Sequence, residues 1–257
     1  MTHSDEVKIM LLGKGGDGKS NTGNTIFREK IFTVVSSASS TSAACEVGTK
    51  IVNGKTLTVI DTPGLFGSNL PDDRLKQVIQ NRITESSSGI HAFIIVLRVG
   101  TYTDQEANII EKVMEMFGKD ILQFTVVLFT HGDQLDDDQT IEDFVEKNSV
   151  LKELVKKCGG RCHVLDNKYW NQKKEGYRSN RVQVERLLNT IDRMVRENGG
   201  ACYIKDMLPT EEERQEEKEN FRNRLGPLLR RTVLPVLKGL WDILQWILRL
   251  LSGIWRP

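Results

Sequence analysis

No excess of charge of either sign is present: 36 lysines and arginines face 35 aspartates and glutamates, a net of +1 over 257 residues. A chain so balanced carries no global field of the kind that draws nucleic acid. No nucleic-acid partner is therefore expected, and any electrostatic recognition must be local. Cysteine is sparse. Cys45, Cys158, Cys162 and Cys202 are the four present, and the first forty residues lack a basic start followed by an apolar core and a cleavage site. Free thiols in a reducing, cytoplasmic setting are the expectation. Cys158, Cys162 and His163 lie close together but lack the spacing of a common zinc site, so structural cysteines are expected ahead of metal ligands. No internal repeat is found.

What is there reads as alternating strand and helix. Val7 to Gly13 (VKIMLLG) is a short apolar run that ends in glycine and leads into KGGDGKS, as a buried strand enters a loop. Lys19 to Glu29 follows as a helix able to turn Ile26 and Phe27 to a sheet. SSASSTSAA is small, polar and aperiodic, and reads as a loop with room to switch. CEVGTKIV and KTLTVID, joined at Asn53 and Gly54, form a hairpin signal. Three later apolar runs, HAFIIVLRV, QFTVVLFT and the weaker RCHVLD, alternate with helical stretches at Asp73 to Ser86, Thr103 to Phe117, Thr140 to Lys157 and Arg181 to Glu197. Near-continuous apolar strands separated by helices imply an α/β fold, a mostly parallel sheet with helices on both faces. Ligands in such a fold bind at the carboxyl ends of the strands.

The run Gly13, Lys14, Gly15, Gly16, Asp17, Gly18, Lys19, Ser20 matches GxxxxGK[ST], the phosphate-binding P-loop. Its glycines let backbone N–H groups turn inward around phosphates, Lys19 neutralises the outer ones, and Ser20 is placed to ligate Mg²⁺. The helix behind it adds its N-terminal partial charge, with Asn21 next along the site. Asp17 is expected to point to solvent, because a carboxylate aimed at phosphates would repel them. Asp61, Thr62, Pro63 and Gly64 end the strand KTLTVID as a DxxG element. Asp61 would reach the metal through water, and the Gly64 N–H would sit near a terminal phosphate, coupling phosphate state to backbone position. A third element, Thr130, His131, Gly132 and Asp133, follows QFTVVLFT where base recognition belongs. A carboxylate at Asp133 accepts from guanine N1–H and the 2-amino group, which adenine cannot match, although an ordinary strand-ending aspartate reads the same way.

GKGGDGKSNTGNTIF, DTPGLF, GIHAFIIVLRVGTYTDQE and FTHGDQL together resemble the AIG1-type GTPases, the immunity-associated (GIMAP) group, over about Val7 to Glu197. The resemblance implies a P-loop NTPase G domain over 1–200 that binds GTP and GDP with Mg²⁺, in the cytosol or at the cytosolic face of a membrane. It also implies a dimer or oligomer formed through the nucleotide face. In this pattern a TxxD element, Thr130 to Asp133, replaces the usual NKxD. RCHVLDNK supplies the last base-side element, implicating Asn167 with Asp166 beside it, while a plain loop residue remains the alternative. The phosphate and Mg²⁺ sensor would come from SSTSAAC, where Thr41 and Ser42 both qualify and Thr41 is preferred.

No catalytic residue is apparent. Leu65 and Phe66 follow DxxG where many small GTPases carry a water-orienting glutamine, and GTYT carries Thr101 where the resembled group often has arginine, so hydrolysis is expected to be slow. Arg98 and His131 are alternatives for that role, although a surface arginine and a histidine set behind the site are the preferred readings.

Past Asn198 and Gly199 the composition changes, and 201–257 is expected to be a helical extension. From Val233 to Trp255, Lys238, Asp242, Gln245, Arg249 and Ser252 trace one narrow polar stripe. Three charges near the middle of a span would cost roughly 8 to 10 kcal/mol, against about 4 to 7 kcal/mol from the leucines, isoleucines and valines. An interfacial helix with Trp241, Trp246 and Trp255 at headgroup level is favoured over spanning, and packing on the domain or a partner helix is the other reading.

Overall fold

The computed structural model describes residues 6–34, 44–67, 70–86, 88–100, 104–210 and 212–213, with the side chains of 104–107 excluded. Six strands, β1 (Glu6–Gly13), β2 (Glu46–Val52), β3 (Lys55–Asp61), β4 (Ala92–Arg98), β5 (Thr125–Thr130) and β6 (Cys162–Val164), form one sheet in the order β2-β3-β1-β4-β5-β6. All neighbours are parallel except β2 and β3, the expected hairpin, which pairs Glu46 with Asp61 and Val52 with Lys55.

The strands are apolar on both sides because both sides are covered. Along β1 the side chains alternate between two cores, Met10 and Leu12 toward one, Ile9 and Leu11 toward the other. β4 does the same, with Phe93 and Ile95 opposed to Ile94 and Val96. The first core is closed by α2 (Asp72–Glu85), α3 (Asp104–Phe117), α4 (Ile141–Glu146) and α5 (Ser149–Lys157). The second is closed by α1 (Lys19–Phe27) and α6 (Asn180–Glu197), through Ile26, Phe27, Val184, Leu187 and Ile191.

One expectation is corrected. The helix expected from Thr140 to Lys157 is broken in two. Thr140 and Asp143 form a reciprocal capping box that starts α4, and the Asn148 side chain accepts from the Val150 and Leu151 N–H groups (3.0 and 3.1 Å) to start α5. The first compact unit runs to Leu208. Asn198 to Gly200 is a turn, after which Tyr203 bridges to Ile90 and buries its ring edge-on to Phe93, Phe117 and Phe124. The tail helix lies outside the described residues. Among those described, no helix is long and apolar enough to cross a membrane.

Candidate functional site

The carboxyl ends of β1, β3, β5 and β6 open on one edge of the sheet, and every described site residue lies there. β1 delivers Gly13, the chain turns through Lys14 to Gly18, and α1 begins at Lys19. Gly16 and Gly18 take φ of 90° and 88°, values that side chains resist. Gly18 caps α1 with no side-chain bond to its first turn. The N-terminal N–H groups of that helix therefore face the loop, as an anion site requires.

Lys19 is buried and curls back into the loop, donating to the Gly13 and Lys14 carbonyls at 3.2 and 3.0 Å. Burial lowers its pKa, while Asp61 and Asp17 raise it. Asp17 does not point to solvent as expected. It is 3 % exposed, and its carboxylate can be buried because the Lys19 ammonium supplies the opposite charge.

Asp61 ends β3 beside this cation. Ser20 Oγ donates to its Oδ2 at 2.5 Å, while Oδ1 is buried with no hydrogen-bond partner among the described residues. Burial raises the Asp61 pKa against the pull of Ser20 and Lys19. A hydroxyl and a carboxylate with a spare buried oxygen make a hard-oxygen donor pair that fits Mg²⁺. The Thr62 hydroxyl ties the strand end to the Leu11 carbonyl at 2.6 Å. Beyond it, two backbone bonds of 2.9 Å, Leu65 N–H to Gly13 and Gly15 N–H to Phe66, stitch the DxxG loop to the phosphate loop.

On the other side of the loop lie the expected base-reading elements. Thr130 is fully buried, and its hydroxyl donates to the Asp17 carbonyl at 2.8 Å, so it fixes the phosphate loop to β5. His131 adopts the left-handed region (φ 58°) and turns the chain out, leaving Asp133 exposed at the rim. The Asp133 N–H meets Asp166 Oδ2 at 3.3 Å. Sharing a hydrogen bond with Asp166, together with burial, raises the Asp133 pKa. For Asp166, burial pushes upward but the bonds from Asp133, Tyr169 and Lys168 outweigh it and hold the carboxyl low. Asn167, carried by the loop after β6, accepts from Thr25 Oγ1 at 2.8 Å and lies against Gly18.

The AIG1 family model matches residues 7–223. The chain belongs to the AIG1 family. Immune-associated nucleotide-binding protein 10 of Arabidopsis thaliana is 34 % identical over 228 residues, 86 % of this chain and 48 % of that protein, so this AIG1 chain spans about half the length of that relative. Solved structures show the same fold. Toc33 from Arabidopsis thaliana in complex with Mg²⁺ and GMPPNP aligns with a TM-score of 0.59 at 19 % identity, over 75 % of this chain and 85 % of that one. A structure reported under the finding that dimerization is important for the GTPase activity of the chloroplast translocon components atToc33 and psToc159 aligns at 0.60 and 20 % identity, over 74 % and 83 %.

Within the AIG1 domain the structure thus gathers Gly13, Gly15, Gly16, Asp17, Gly18, Lys19, Ser20, Asn21, Asp61, Gly64, Thr130, His131, Asp133 and Asn167 at one edge. Thr41, Ser42 and Thr101 lie outside the described residues. Sequence reasoning missed three supports. Thr25, one helical turn beyond Asn21, holds Asn167. Asn180 Oδ1 accepts from the Asp166 N–H at 3.1 Å. Trp170 is 2 % exposed and packs so closely on Gly132 that a Cβ there would stand 2.5 Å from the indole. A lone tryptophan in an otherwise polar loop was the available signal.

Proposed function

We propose that this chain is a guanine-nucleotide switch that binds GTP and GDP with Mg²⁺, hydrolyses GTP slowly, and self-associates in the GTP state at the cytosolic face of a membrane. The observation that carries the reading is the Ser20 and Asp61 pair, with its spare buried oxygen, set between Lys19 and the DxxG loop. In the bound state the loop N–H groups and the N-terminus of α1 hold the phosphates. Lys19 would leave the Gly13 and Lys14 carbonyls for them, and Ser20, with Asp61 through water, would hold Mg²⁺, whose charge would offset that of the phosphates. Asp133 accepts from guanine, and Asn167 borders the base side.

Slow hydrolysis is supported by Leu65, whose side chain is 1 % exposed in the core and cannot orient a water as a glutamine would there. Self-association is supported by the AIG1 membership and by the dimerization noted for the fold's relatives. The membrane surface rests on the tail's polar stripe alone. The test is sedimentation of full-length and tail-deleted protein with GDP and with a non-hydrolysable GTP analogue, beside single-turnover hydrolysis at high protein concentration. Assembly favoured by the analogue with slow phosphate release supports the switch. Phosphate release no faster than in buffer leaves a nucleotide-dependent scaffold, and displacement of labelled GDP by ATP as readily as by GTP ends the guanine reading.

A further inference from the structure

β2 is the last strand at one side of the sheet, paired only with β3. The hairpin turns on two residues, Asn53 and Gly54, with φ of 51° and 81°, so Val52 and Lys55 beside the turn form a hydrogen-bonded pair. Counting back along β2, Lys50, Gly48 and Glu46 bond to β3 in the same way, opposite Leu57, Val59 and Asp61. The N–H and C=O groups of Val47, Thr49 and Ile51 therefore point away from β3. None of them has a hydrogen-bond partner among the described residues.

The devices that usually blunt an open edge are missing. β2 runs for 7 residues in unbroken one-to-one register with β3, without proline or bulge. Its one lysine, Lys50, is already held by Glu29 at 2.6 Å and by the Phe27 carbonyl at 3.1 Å. Val47 and Ile51 stand on the opposite face at 46 % and 71 % exposure, and Ile51 is the most exposed large apolar side chain among the described residues. Thr49 lies between them, its hydroxyl 2.9 Å from that of Thr58.

We infer that this edge is an interface with a second copy of the chain, formed by antiparallel pairing of β2 with the partner's β2 about a two-fold axis at Thr49. That register engages all three outward-pointing residues: Val47 pairs with the partner's Ile51, Thr49 with the partner's Thr49, and Ile51 with the partner's Val47. Each pair exchanges two N–H···O bonds, and the side chains form two β-branched apolar contacts flanking a threonine pair. Charge on the other face is complementary. Glu46 stands diagonal to the partner's Lys50, and each Lys50 faces the partner's Gly48, so no like charges are directly opposed. A slip of two residues toward the turn sets Lys50 against the partner's Lys50 and carries Val47 past the end of the partner strand, so charge and pairing select the same register. β3 lies between this edge and β1, which carries the phosphate loop. The pairing is therefore separate from association through the nucleotide face and needs no nucleotide.

The test is sedimentation of the full chain from low to high micromolar concentration, without nucleotide and with GDP and Mg²⁺, beside amide exchange read at Val47, Thr49 and Ile51. A reversible dimer is expected in both states, with the three amides slowing as the dimer fills. Ile51→Lys changes both symmetric apolar contacts and should raise the dimer Kd about tenfold or more. Thr49→Pro removes an outward N–H that β3 does not use and should do the same. Val150→Lys, at an apolar side chain 47 % exposed on α5, should change the Kd by no more than about twofold. An unchanged urea midpoint checks that each variant is folded, and Ile51→Lys keeps the test intact if proline unfolds the hairpin. Amides that exchange fast at every concentration, amides already protected in the monomer, or a dimer that Ile51→Lys leaves unmoved would overturn the proposal. Assembly seen only with a non-hydrolysable GTP analogue would also overturn it and belongs to the nucleotide face, whereas failure of the guanine reading leaves the nucleotide-free arm intact.

Discussion

Gly64→Ala probes how the DxxG loop is held to the phosphate loop. Gly64 does not occupy the left-handed region, so alanine meets no torsional objection and the effect is steric. An added Cβ would stand 2.6 Å from the Gly15 nitrogen and 2.9 Å from both Gly15 Cα and the Phe66 carbonyl oxygen. All three are backbone atoms, so the loops themselves must separate. Separation stretches the Gly15 to Phe66 and Leu65 to Gly13 bonds, each contributing about 1 kcal/mol net. Overpacking adds about 1 kcal/mol, and reduced freedom of the unfolded chain returns about 0.5 to 1 kcal/mol. The expected loss is about 2 kcal/mol. At about 2 kcal/mol per molar urea, the nucleotide-free midpoint should fall by about 1 M. If the Gly64 N–H also senses the terminal phosphate, affinity for a non-hydrolysable GTP analogue should fall further than affinity for GDP. A midpoint within about 0.2 M of the natural chain would refute the steric reasoning, and equal losses for the two nucleotides would refute the coupling.

Thr25→Val should weaken GDP binding roughly fivefold by freeing Asn167, and a double-mutant cycle with Asn167→Ala should return a coupling of about 1 kcal/mol; strict additivity would show that the 2.8 Å bond does not position Asn167. His163 is held down to about 4 by burial and by Arg186 and Arg193. The unfolded imidazole protonates near its ordinary value of about 6.5, so stability is full above that pH and declines as pH falls toward 4, by about 2 kcal/mol at pH 5. His163→Gln should flatten urea midpoints compared at pH 7 and pH 5, and an equal drop in the variant would contradict this. Asp166→Asn removes the carboxylate that raises the Asp133 pKa, so the acid side of a GDP-affinity profile should move to lower pH; an unmoved profile would detach Asp133 from base binding.

The elements legible in the sequence are those whose cause is local. β1, the phosphate loop and α1 were readable because a buried strand, the glycine spacing and the start of a helix occupy consecutive residues. The hairpin was readable at Asn53 and Gly54, where φ is 51° and 81°. The break at Asn148 was harder, since helical periodicity continues across it and only the cap geometry ends one helix and begins another. Asp17 was misjudged because repulsion from phosphate was weighed without the buried Lys19 beside it. Thr130 was legible only as part of its tetrapeptide, and the carbonyl its hydroxyl serves lies 113 residues away in sequence.

By itself the sequence determined the α/β class, the phosphate loop and the order of the site elements, because backbone freedom, hydrophobic run length and helix starts act over a few neighbouring residues. The tertiary structure alone decided that Asn167 is held by Thr25, 142 residues away, that Asp61 keeps a spare oxygen beside Ser20, and that Tyr203 returns to the core. Each depends on which distant residues the parallel sheet sets side by side, and strand order is fixed by packing on both faces, which no local window contains.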